Sequence, residues 1–556
     1  MPISNLSHYI NIALNKIALR YPSQNPHSFL NLTIANFFIN NPNKERIVAL
    51  IKDIHPIISN YKKSNLEFNA NGKKALVFLL KGHFYVHNIH NYILAHALKA
   101  IGYEVTLVTC QGDLERCGNS QQSFEFRNPP YACNVCKAII HAFDFTDFKT
   151  ISLNQFVNSN ENKIADEIVN RNMQIQELNY SRNDLLALSH PYLLRFFNGD
   201  IKKINIENGE TQLHLKSAVR LMLRYNKLLD QIKPDVMVFF NGTFYPEHLF
   251  IHEASKRKIP FYCTERGMKK NSLFISYNMP ATNYDAGELW NKVKENIGQK
   301  EIDIASVFMK NRLGNPEDAT GTKRNLSVDD IKKYEVLAKI PYVVFFAPVI
   351  HDTAAMGKNN TIGNIFDNIL SLTKAAIKNK KRLVIRCHPD EKGASNPSHF
   401  TIKEFLAENN LLENEYIICL GSEEKWHPYT LAEYANTIVV YNGTLGMELS
   451  ALGNCVFNLG HSHYSKKGFT IDIYEESKID TIYNYTKQKI SESIQQLALQ
   501  YLYFYTHIAN LSIDEIVNEE SPFIFSMPKS FSLETRNKQI EAIYNRILFY
   551  QKLRIQ

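Results

Sequence analysis

The chain has 556 residues, more than one compact core usually holds, so two or three domains are expected. Its apolar and charged fractions of 44% and 21% exclude an intrinsically disordered chain and a membrane bundle. The net charge of +8 is small for this length and gives no indication of a nucleic-acid partner, although it suits anionic small molecules such as nucleotide phosphates.

The N-terminal part of the chain is polar with scattered apolar residues. Ile10, Leu14 and Ile17 have the spacing of an amphipathic helix, and residues 1–21 lack the layout of a signal peptide. No run approaches the roughly 18 apolar residues of a membrane-spanning helix. We therefore predict a helical extension at residues 1–70 and a cytoplasmic protein, with peripheral contact at the inner face of the cell membrane left open.

Strand, loop and helix patterns alternate through residues 71–310, which predicts a first Rossmann-like domain. Residues 154–216 within it are polar and are predicted to form a mostly helical insertion. The predicted strands are 75–80, 104–109, 235–240 and 259–263, with a helix at 247–257.

The same alternation returns after a predicted linker at residues 311–335, which is rich in Asn, Lys, Gly and Asp at its start. Residues 336–490 are predicted to be a second Rossmann-like domain, and residues 491–556 a helical tail that packs back on the body. The predicted strands of the second domain are 342–348, 382–387, 416–420, 437–441 and 455–459, with helices at 366–378, 402–409 and 445–452.

Two such domains predict an α/β fold with parallel sheets facing a central cleft. Ligands of open parallel sheets bind beyond the carboxyl ends of the strands, so the residues that follow strands are the candidates for function.

Two motifs follow strands of the second domain. Arg386, His388 and Pro389 come after the apolar residues 383–385 of the strand at 382–387, where a histidine held by a proline turn can donate a hydrogen bond to phosphate. The segment from Asn442 through Gly443 to Thr444 joins a strand to a helix, so backbone N–H groups and a hydroxyl are available to an anion. The alternatives are a loop histidine without a role and an ordinary helix cap.

Glu448 lies one turn into that helix and is a candidate acceptor for a ribose hydroxyl; the alternative is a surface glutamate. These motifs resemble the capsule polysaccharide biosynthesis family of bacterial glycosyltransferases, which includes Kdo transferases acting with CMP-activated sugar. The resemblance extends to the glycines and tyrosine of the run from Gly460 through Tyr464 to Gly468. Gly443 departs from the family, which usually has serine there.

The resemblance implies a GT-B-like glycosyltransferase whose second domain binds the nucleotide sugar and whose first domain binds the acceptor. In the first domain, Glu265 resembles the catalytic carboxylate of related enzymes, which removes the proton of the acceptor hydroxyl or stabilises the sugar transition state. Arg266 beside it suits the carboxylate of an ulosonic acid sugar. The alternative is a turn exposed to solvent.

Further candidates also follow strands and are supporting members of the site. In the first domain they are Gly82, His83 and Asn241, and in the second domain His351 and Asp352.

Four of the eight cysteines are concentrated in one stretch of the first domain: Cys110, Cys117, Cys133 and Cys136. Four thiolates suit a structural zinc ion or an iron–sulfur cluster, while four reduced cysteines with no joint role are the alternative. Sugar transfer itself is expected to need no cofactor.

The leading hypothesis is a metal-independent glycosyltransferase that moves a sugar, such as Kdo or another ulosonic acid, from a CMP-linked or other nucleotide-linked donor. His388 would act in catalysis together with Glu265. The acceptor would be a capsular or other surface polysaccharide or a glycolipid, and contact with capsule assembly machinery stays open. The alternatives are a teichoic-acid-type CDP-polyol phosphotransferase and a non-catalytic protein that binds nucleotide or glycan.

Overall fold

The computed structural model describes residues 71–81, 85–117, 133, 136–137, 140, 148–175, 178–314, 328–352, 362–393, 397–485, 489–521, 524–526 and 538–553. The predicted extension at residues 1–70 and the candidates Gly82 and His83 lie outside these ranges. The chain divides into two compact units. The first takes its residues from the chain up to 196, from 203–281 and from 510 onward, and the second from 197–202 and 282–509.

The first unit contains a seven-stranded sheet whose core strands are almost wholly buried, as expected of a parallel sheet covered on both faces. Its strands before the second unit are β1 (Lys74–Leu79), β2 (Glu104–Thr109), β3 (Lys149–Ser152), β4 (Val236–Phe240), β5 (Phe261–Arg266) and β6 (Ser272–Tyr277). Its helices there are α1 (Tyr85–Ala100), α2 (Glu161–Val169), α3 (Arg182–Phe196), α4 (Gly209–Ile232) and α5 (Glu247–Lys256).

The second unit contains a six-stranded sheet in which all pairings are parallel. Its strands are β7 (Tyr342–Phe346), β8 (Arg382–Arg386), β9 (Ile417–Leu420), β10 (Thr437–Val440), β11 (Val456–Asn458) and β12 (Ile471–Asp472). Its helices are α6 (Gly287–Val293), α7 (Gln299–Gly314), α8 (Val328–Ala338), α9 (Ile365–Lys378), α10 (Ile402–Glu408), α11 (Pro428–Tyr434), α12 (Leu445–Ala451), α13 (Asp480–Asn484) and α14 (Glu492–Tyr503).

The chain then returns to the first unit. Strand β13 (Asn510–Ser512) pairs antiparallel with β6, and helix α15 (Lys538–Leu553) packs against α1 in the core of that unit. A hairpin of β14 (Asn518–Ser521) and β15 (Ile524–Ser526) lies between them. The tail was predicted to be helical throughout, and the structure adds these three strands.

Strand order explains which loops share an edge. The first sheet runs β13-β6-β5-β4-β1-β2-β3, and the second β12-β11-β10-β7-β8-β9. Strands β1, β4 and β5 are parallel neighbours in the first sheet, as are β8, β7 and β10 in the second. The loops after each trio therefore lie at one edge of their own sheet, where parallel sheets bind ligands.

The two predicted α/β domains are confirmed. The predicted strands and helices within them have bounds within two residues of the observed ones, except that β5 ends three residues beyond the predicted strand 259–263. The division between the units falls near residue 281, whereas the predicted linker was 311–335. Helix α7 occupies residues 299–314 and packs on α14 in the second unit, which the polar composition of this stretch did not indicate. The second unit also continues to residue 509, beyond the predicted boundary at 490.

Candidate functional site

Glu265 stands at the carboxyl end of β5, and its side chain is oriented by two donors. The Asn241 side-chain amide donates to Oε2, and the backbone N–H of Arg266 donates to Oε1 at 2.9 Å. Only 9% of Glu265 is exposed. Hydrogen bonds to the charged form favour a carboxylate. The structure thus joins two residues that the sequence predicted separately.

Asn241 can reach Glu265 because the chain turns sharply after β4. Asn241 adopts a left-handed conformation with φ of 60°, and its side chain also accepts from the N–H of Thr243 at 2.9 Å. Gly242 follows with φ of 81°, and a Cβ there would lie 2.8 Å from the sulfur of Cys263. Only glycine fits this close approach.

Two histidines of α1 belong to the same cluster. The Nδ1 atom of His87 lies 3.9 Å from Oε1 of Glu265, and the ring stacks on Phe240 with a centroid distance of 3.7 Å. Burial, followed by the charges of His90, Lys81 and Arg266, lowers the pKa of His87 well below its ordinary value. Burial and the charge of Arg266 also lower the pKa of His90 to about 3. Both rings are therefore neutral near pH 7.

A buried ion pair completes the polar cluster of the first unit. Lys81 follows β1, and its Nζ atom lies 2.6 Å from Oε2 of Glu247 at the start of α5. Burial lowers the pKa of Lys81 and raises that of Glu247, while their mutual attraction opposes both shifts. Lys81 was not among the site residues predicted from the sequence, although a lysine that directly follows a buried strand is a pattern that indicates a candidate.

Arg386 ends β8 in the second unit and has only 6% of its surface exposed. Its Nε and Nη2 atoms donate to the carbonyl of Trp426 at 3.4 Å. The Nη1 atom is buried and has no hydrogen-bond partner among the described residues. A buried guanidinium donor without a partner is costly, so this atom is a site where an anion would be favoured.

His388 lies two residues after Arg386 and caps the short 3₁₀ helix Pro389–Glu391, in which proline occupies the first position. The backbone N–H of Asp390 donates to Nδ1 at 3.2 Å, which leaves the proton of a neutral ring on Nε2. The side chain is 46% exposed. Partial removal from water lowers the pKa of His388, and the nearby charges of Asp390 and Asp352 oppose this shift.

The charge of Asp352 acts on His388, so these two candidates lie near one another at the edge of the second sheet. His351 is different, because it is 1% exposed and its Nδ1 atom lies 3.3 Å from the hydroxyl of Ser398. His351 therefore contributes to packing beneath the edge.

The turn from Asn442 to Thr444 is held by the residues of the family motif that surround it. The hydroxyl of Tyr464 donates to the carbonyl of Gly443 at 2.8 Å. Tyr464 fits there because Gly446 has no side chain, and Gly460 similarly makes room for the carbonyl of Tyr441. The hydroxyl of Thr444 makes no capping bond to α12, contrary to the ordinary-cap alternative.

Glu448 has partners other than those predicted. It is 1% exposed, its Oε1 atom lies 2.9 Å from Nε of Arg312, and its Oε2 atom accepts from the hydroxyl of Tyr429. These contacts connect α12 to α7 and α11. Glu448 is thus positioned to hold the second unit together, whereas a ribose acceptor would have to be accessible.

Gly443 and Gly460 differ in how much space an added side chain would find, and this difference can be tested. Around Gly443 no atom of the described residues lies within 4 Å of an added Cβ, whereas a Cβ at Gly460 would overlap the backbone of Tyr441. We expect G443S to change the free energy of unfolding by less than about 0.5 kcal/mol and G460A to lower it by about 1–3 kcal/mol. Urea unfolding followed by circular dichroism measures both. Equal losses would contradict the described turn.

Cysteines 110, 117, 133 and 136 line one small cavity in the first unit. All eight cysteines are free thiols. As the side chains stand, no group of three or more His, Cys, Asp or Glu residues in the described ranges is arranged to hold a metal ion. The described helices include none that is both long and apolar enough to cross a membrane.

Residues 312–509 match the family model described as capsule polysaccharide biosynthesis protein. The matched segment contains both motifs of the second unit, so the predicted resemblance is confirmed there. A comparison with curated proteins finds no match.

Several solved structures are similar at low identity. Two of them are described as KpsC of Thermosulfurimonas dismutans. The first, a beta Kdo 2,7 transferase, has 17% sequence identity and a TM-score of 0.30, and the alignment covers 50% of this chain and 79% of that chain. The second, a beta Kdo 2,4 transferase, has 13% identity and a TM-score of 0.30, and the alignment covers 48% of this chain and 79% of that chain. Sucrose-phosphate synthase from Thermosynechococcus elongatus has 11% identity and a TM-score of 0.28, and the alignment covers 87% of this chain and 100% of that chain.

Proposed function

From the match of residues 312–509 to the capsule polysaccharide biosynthesis family, we propose that this protein is a glycosyltransferase. It transfers a sugar from a nucleotide-activated donor, with a CMP-linked ulosonic acid such as Kdo favoured, to a surface polysaccharide or glycolipid. The reaction takes place in the cytoplasm or at the inner face of the membrane. The observation that carries the proposal is the buried Nη1 donor of Arg386, which has no partner among the described residues and ends a strand of the matched segment.

The donor phosphate binds at the carboxyl edge of the second sheet in this proposal. Arg386 provides a fixed positive charge with an unused N–H group, and charge-assisted bonds to phosphate are among the stronger hydrogen bonds. His388 provides an Nε2–H group, because its Nδ1 atom accepts a hydrogen bond from the backbone N–H of Asp390. The turn from Asn442 to Thr444 provides backbone N–H groups and a hydroxyl that does not cap the helix. These donors stabilise the leaving phosphate without a divalent metal.

The acceptor reacts at the cluster of the first unit. Asn241 and the Arg266 N–H hold Glu265 ready as a carboxylate, which is the form a general base needs. Neutral His87 lies beside it and adds no competing positive charge near pH 7. The Arg266 side chain supplies positive charge for a sugar carboxylate.

The function is tested by His388→Ala together with a panel of nucleotides. CMP and CDP are expected to raise the Tm of the wild-type protein more than UMP or GMP, since selective binding stabilises by mass action. In H388A the CMP-dependent shift should shrink, and kcat with a CMP-sugar should fall about 10²-fold, because one donor to the leaving phosphate is lost.

The matched control is His399→Ala, since His399 lies in the same unit but contacts a different loop. Its backbone N–H donates to the carbonyl of Asn198 at 2.8 Å, and its Nε2 atom lies 3.4 Å from the side-chain nitrogen of Asn198. H399A should retain turnover. If H388A retains wild-type turnover at both limiting and saturating donor, the donor-site assignment is wrong. A phosphodiester product from CDP-glycerol would instead assign a polyol phosphotransferase, and binding without turnover of any donor would assign a binding protein.

A further inference from the structure

The four-cysteine cavity of the first unit is separate from the residues used in the proposed reaction. It is bounded by the four cysteines together with Leu80, Gly112 and Leu114, and its volume is about 30 Å³. Such a space holds an ion or one or two waters. The four sulfur-bearing residues come from the end of β2, the loop after it and a later segment, so the sequence spacing alone does not bring them together.

The loop that carries Cys110 and Cys117 is fixed to helix α4 by ion pairs. Asp113 pairs with Arg224 through two contacts of 2.9 Å, and Arg116 pairs with Glu210 at 2.7 and 2.8 Å. Arg224 is 1% exposed, so its pairing is little screened by water. Planar guanidinium–carboxylate pairs of this kind hold a loop in one geometry. The backbone of the loop that carries the two cysteines is therefore held in position before any ligand arrives.

The backbone also approaches the sulfur atoms closely. The N–H of Gly112 points at the sulfur of Cys110 at 3.4 Å, and a Cβ at Gly112 would lie 3.0 Å from the sulfur of Cys133. Gly112 has φ of 90°, which side chains other than glycine rarely adopt. The backbone at Gly112 therefore lies in contact with two of the four sulfur atoms.

We propose that Cys110, Cys117, Cys133 and Cys136 bind one structural zinc ion. Four cysteines of one cavity match the tetrahedral set of structural zinc sites. Four cysteines could also hold an iron–sulfur cluster, and the test below distinguishes that outcome. Binding requires the four side chains to turn toward the cavity centre, since they do not stand at coordination distances.

The chemistry balances without a further reactant. One Zn²⁺ displaces four thiol protons to solvent and forms four zinc–sulfur bonds, which leaves a site with a net charge of −2. Lys137 lies within electrostatic reach of Cys133, Cys110 and Cys136 and offsets part of this charge. The thiol of Cys136, which contacts the carbonyl of Leu80 at 3.6 Å, loses its proton in this step.

The site would lie against the end of β1, next to Lys81. Leu80 lines the cavity, and the next residue, Lys81, makes the buried pair with Glu247. Zinc would therefore fix the end of β1 without touching either substrate.

The test is the metal content of the full chain purified without an affinity tag that binds metal. We expect inductively coupled plasma mass spectrometry to find about one zinc ion per chain in the wild-type protein and less than about 0.2 per chain in the double variant C133S/C136S. The control is C455S, because Cys455 lies in the second unit directly before β11 and does not line the cavity. C455S should keep its zinc. Replacement of zinc by Co²⁺ should give the visible absorption bands of a tetrahedral thiolate site.

If the double variant does not fold, the wild-type protein still decides the question. Titration of its thiols with a mercurial should release zinc to a chromogenic chelator in step with the modification of about four thiols. Four reactive thiols without bound zinc, a disulfide among these cysteines, or iron with inorganic sulfide would each overturn the proposal. None of these readouts depends on turnover, so they stand apart from the proposed transferase reaction.

Discussion

Replacing Glu265 by Gln is expected to lower kcat about 10²- to 10⁴-fold while leaving the protein folded. The glutamine keeps the volume of the side chain and can accept one of the two hydrogen bonds that Asn241 and the Arg266 N–H donate. It cannot accept a proton from the acceptor hydroxyl, and it carries no charge to stabilise a positive sugar. The measurement is the initial rate with saturating donor and acceptor, together with the Tm.

Glu253→Gln is the matched control for this change. Glu253 belongs to the same unit, and its exposed fraction is 9%, the same as that of Glu265. Its partners are structural: the hydroxyl of Tyr180 at 2.8 Å and Nε of Arg257 at 2.9 Å. We expect E253Q to lose stability but to keep kcat within about twofold, because catalysis does not use it. A folded E265Q protein with kcat within about threefold of wild type would rule out Glu265 as the catalytic base.

Replacing Arg386 by Ala is expected to raise the donor KM and the Kd for CMP about 10- to 100-fold, a loss of about 1.4–2.8 kcal/mol of binding free energy. The change removes the buried guanidinium and its unused Nη1 donor from the edge of the second sheet. R386K should restore only part of the affinity, because an ammonium lacks the planar arrangement of donors. Calorimetry with CMP and rates at varied donor concentration measure these effects.

Arg382→Ala tests whether any arginine of β8 would give the same result. Arg382 begins the strand that Arg386 ends, and its Nη1 atom donates to the carbonyl of Leu337 at 3.4 Å. It lies at the opposite end of the strand, so R382A should bind CMP as wild type does. Unchanged affinity in folded R386A, or an equal loss in both variants, would remove Arg386 from the donor site.

The sequence predicted the secondary structure well where apolar runs and turn residues repeat. Strand β2, for example, has the predicted bounds, and helix α9 begins one residue earlier than predicted. In such runs, the local pattern and the tertiary environment favour the same structure. Strands β6 and β13 were not predicted, because they pair antiparallel at one edge and β13 comes from the far end of the chain.

Some candidate site residues could likewise be predicted from the local sequence, whereas the role of others depends on tertiary packing. Arg386 and Glu265 were predicted from their places after strands, and the structure shows how each is buried and oriented. Glu448 was predicted to face a ligand, yet Arg312 and Tyr429 occupy its carboxylate. A glutamate one turn into a helix has the same local signal whether it faces a ligand or a neighbouring helix, so only the packing of α7 and α11 decides.

The sequence by itself determined two α/β units, the strand ends that carry polar residues, and the resemblance of the second unit to a capsule family. These features depend on local periodicity and on motifs that are continuous in the chain. The tertiary structure decided which of those residues share contacts, such as Asn241 with Glu265 or the four cysteines around one cavity. Such contacts join residues distant in sequence through strand order and helix packing, and no local pattern encodes them.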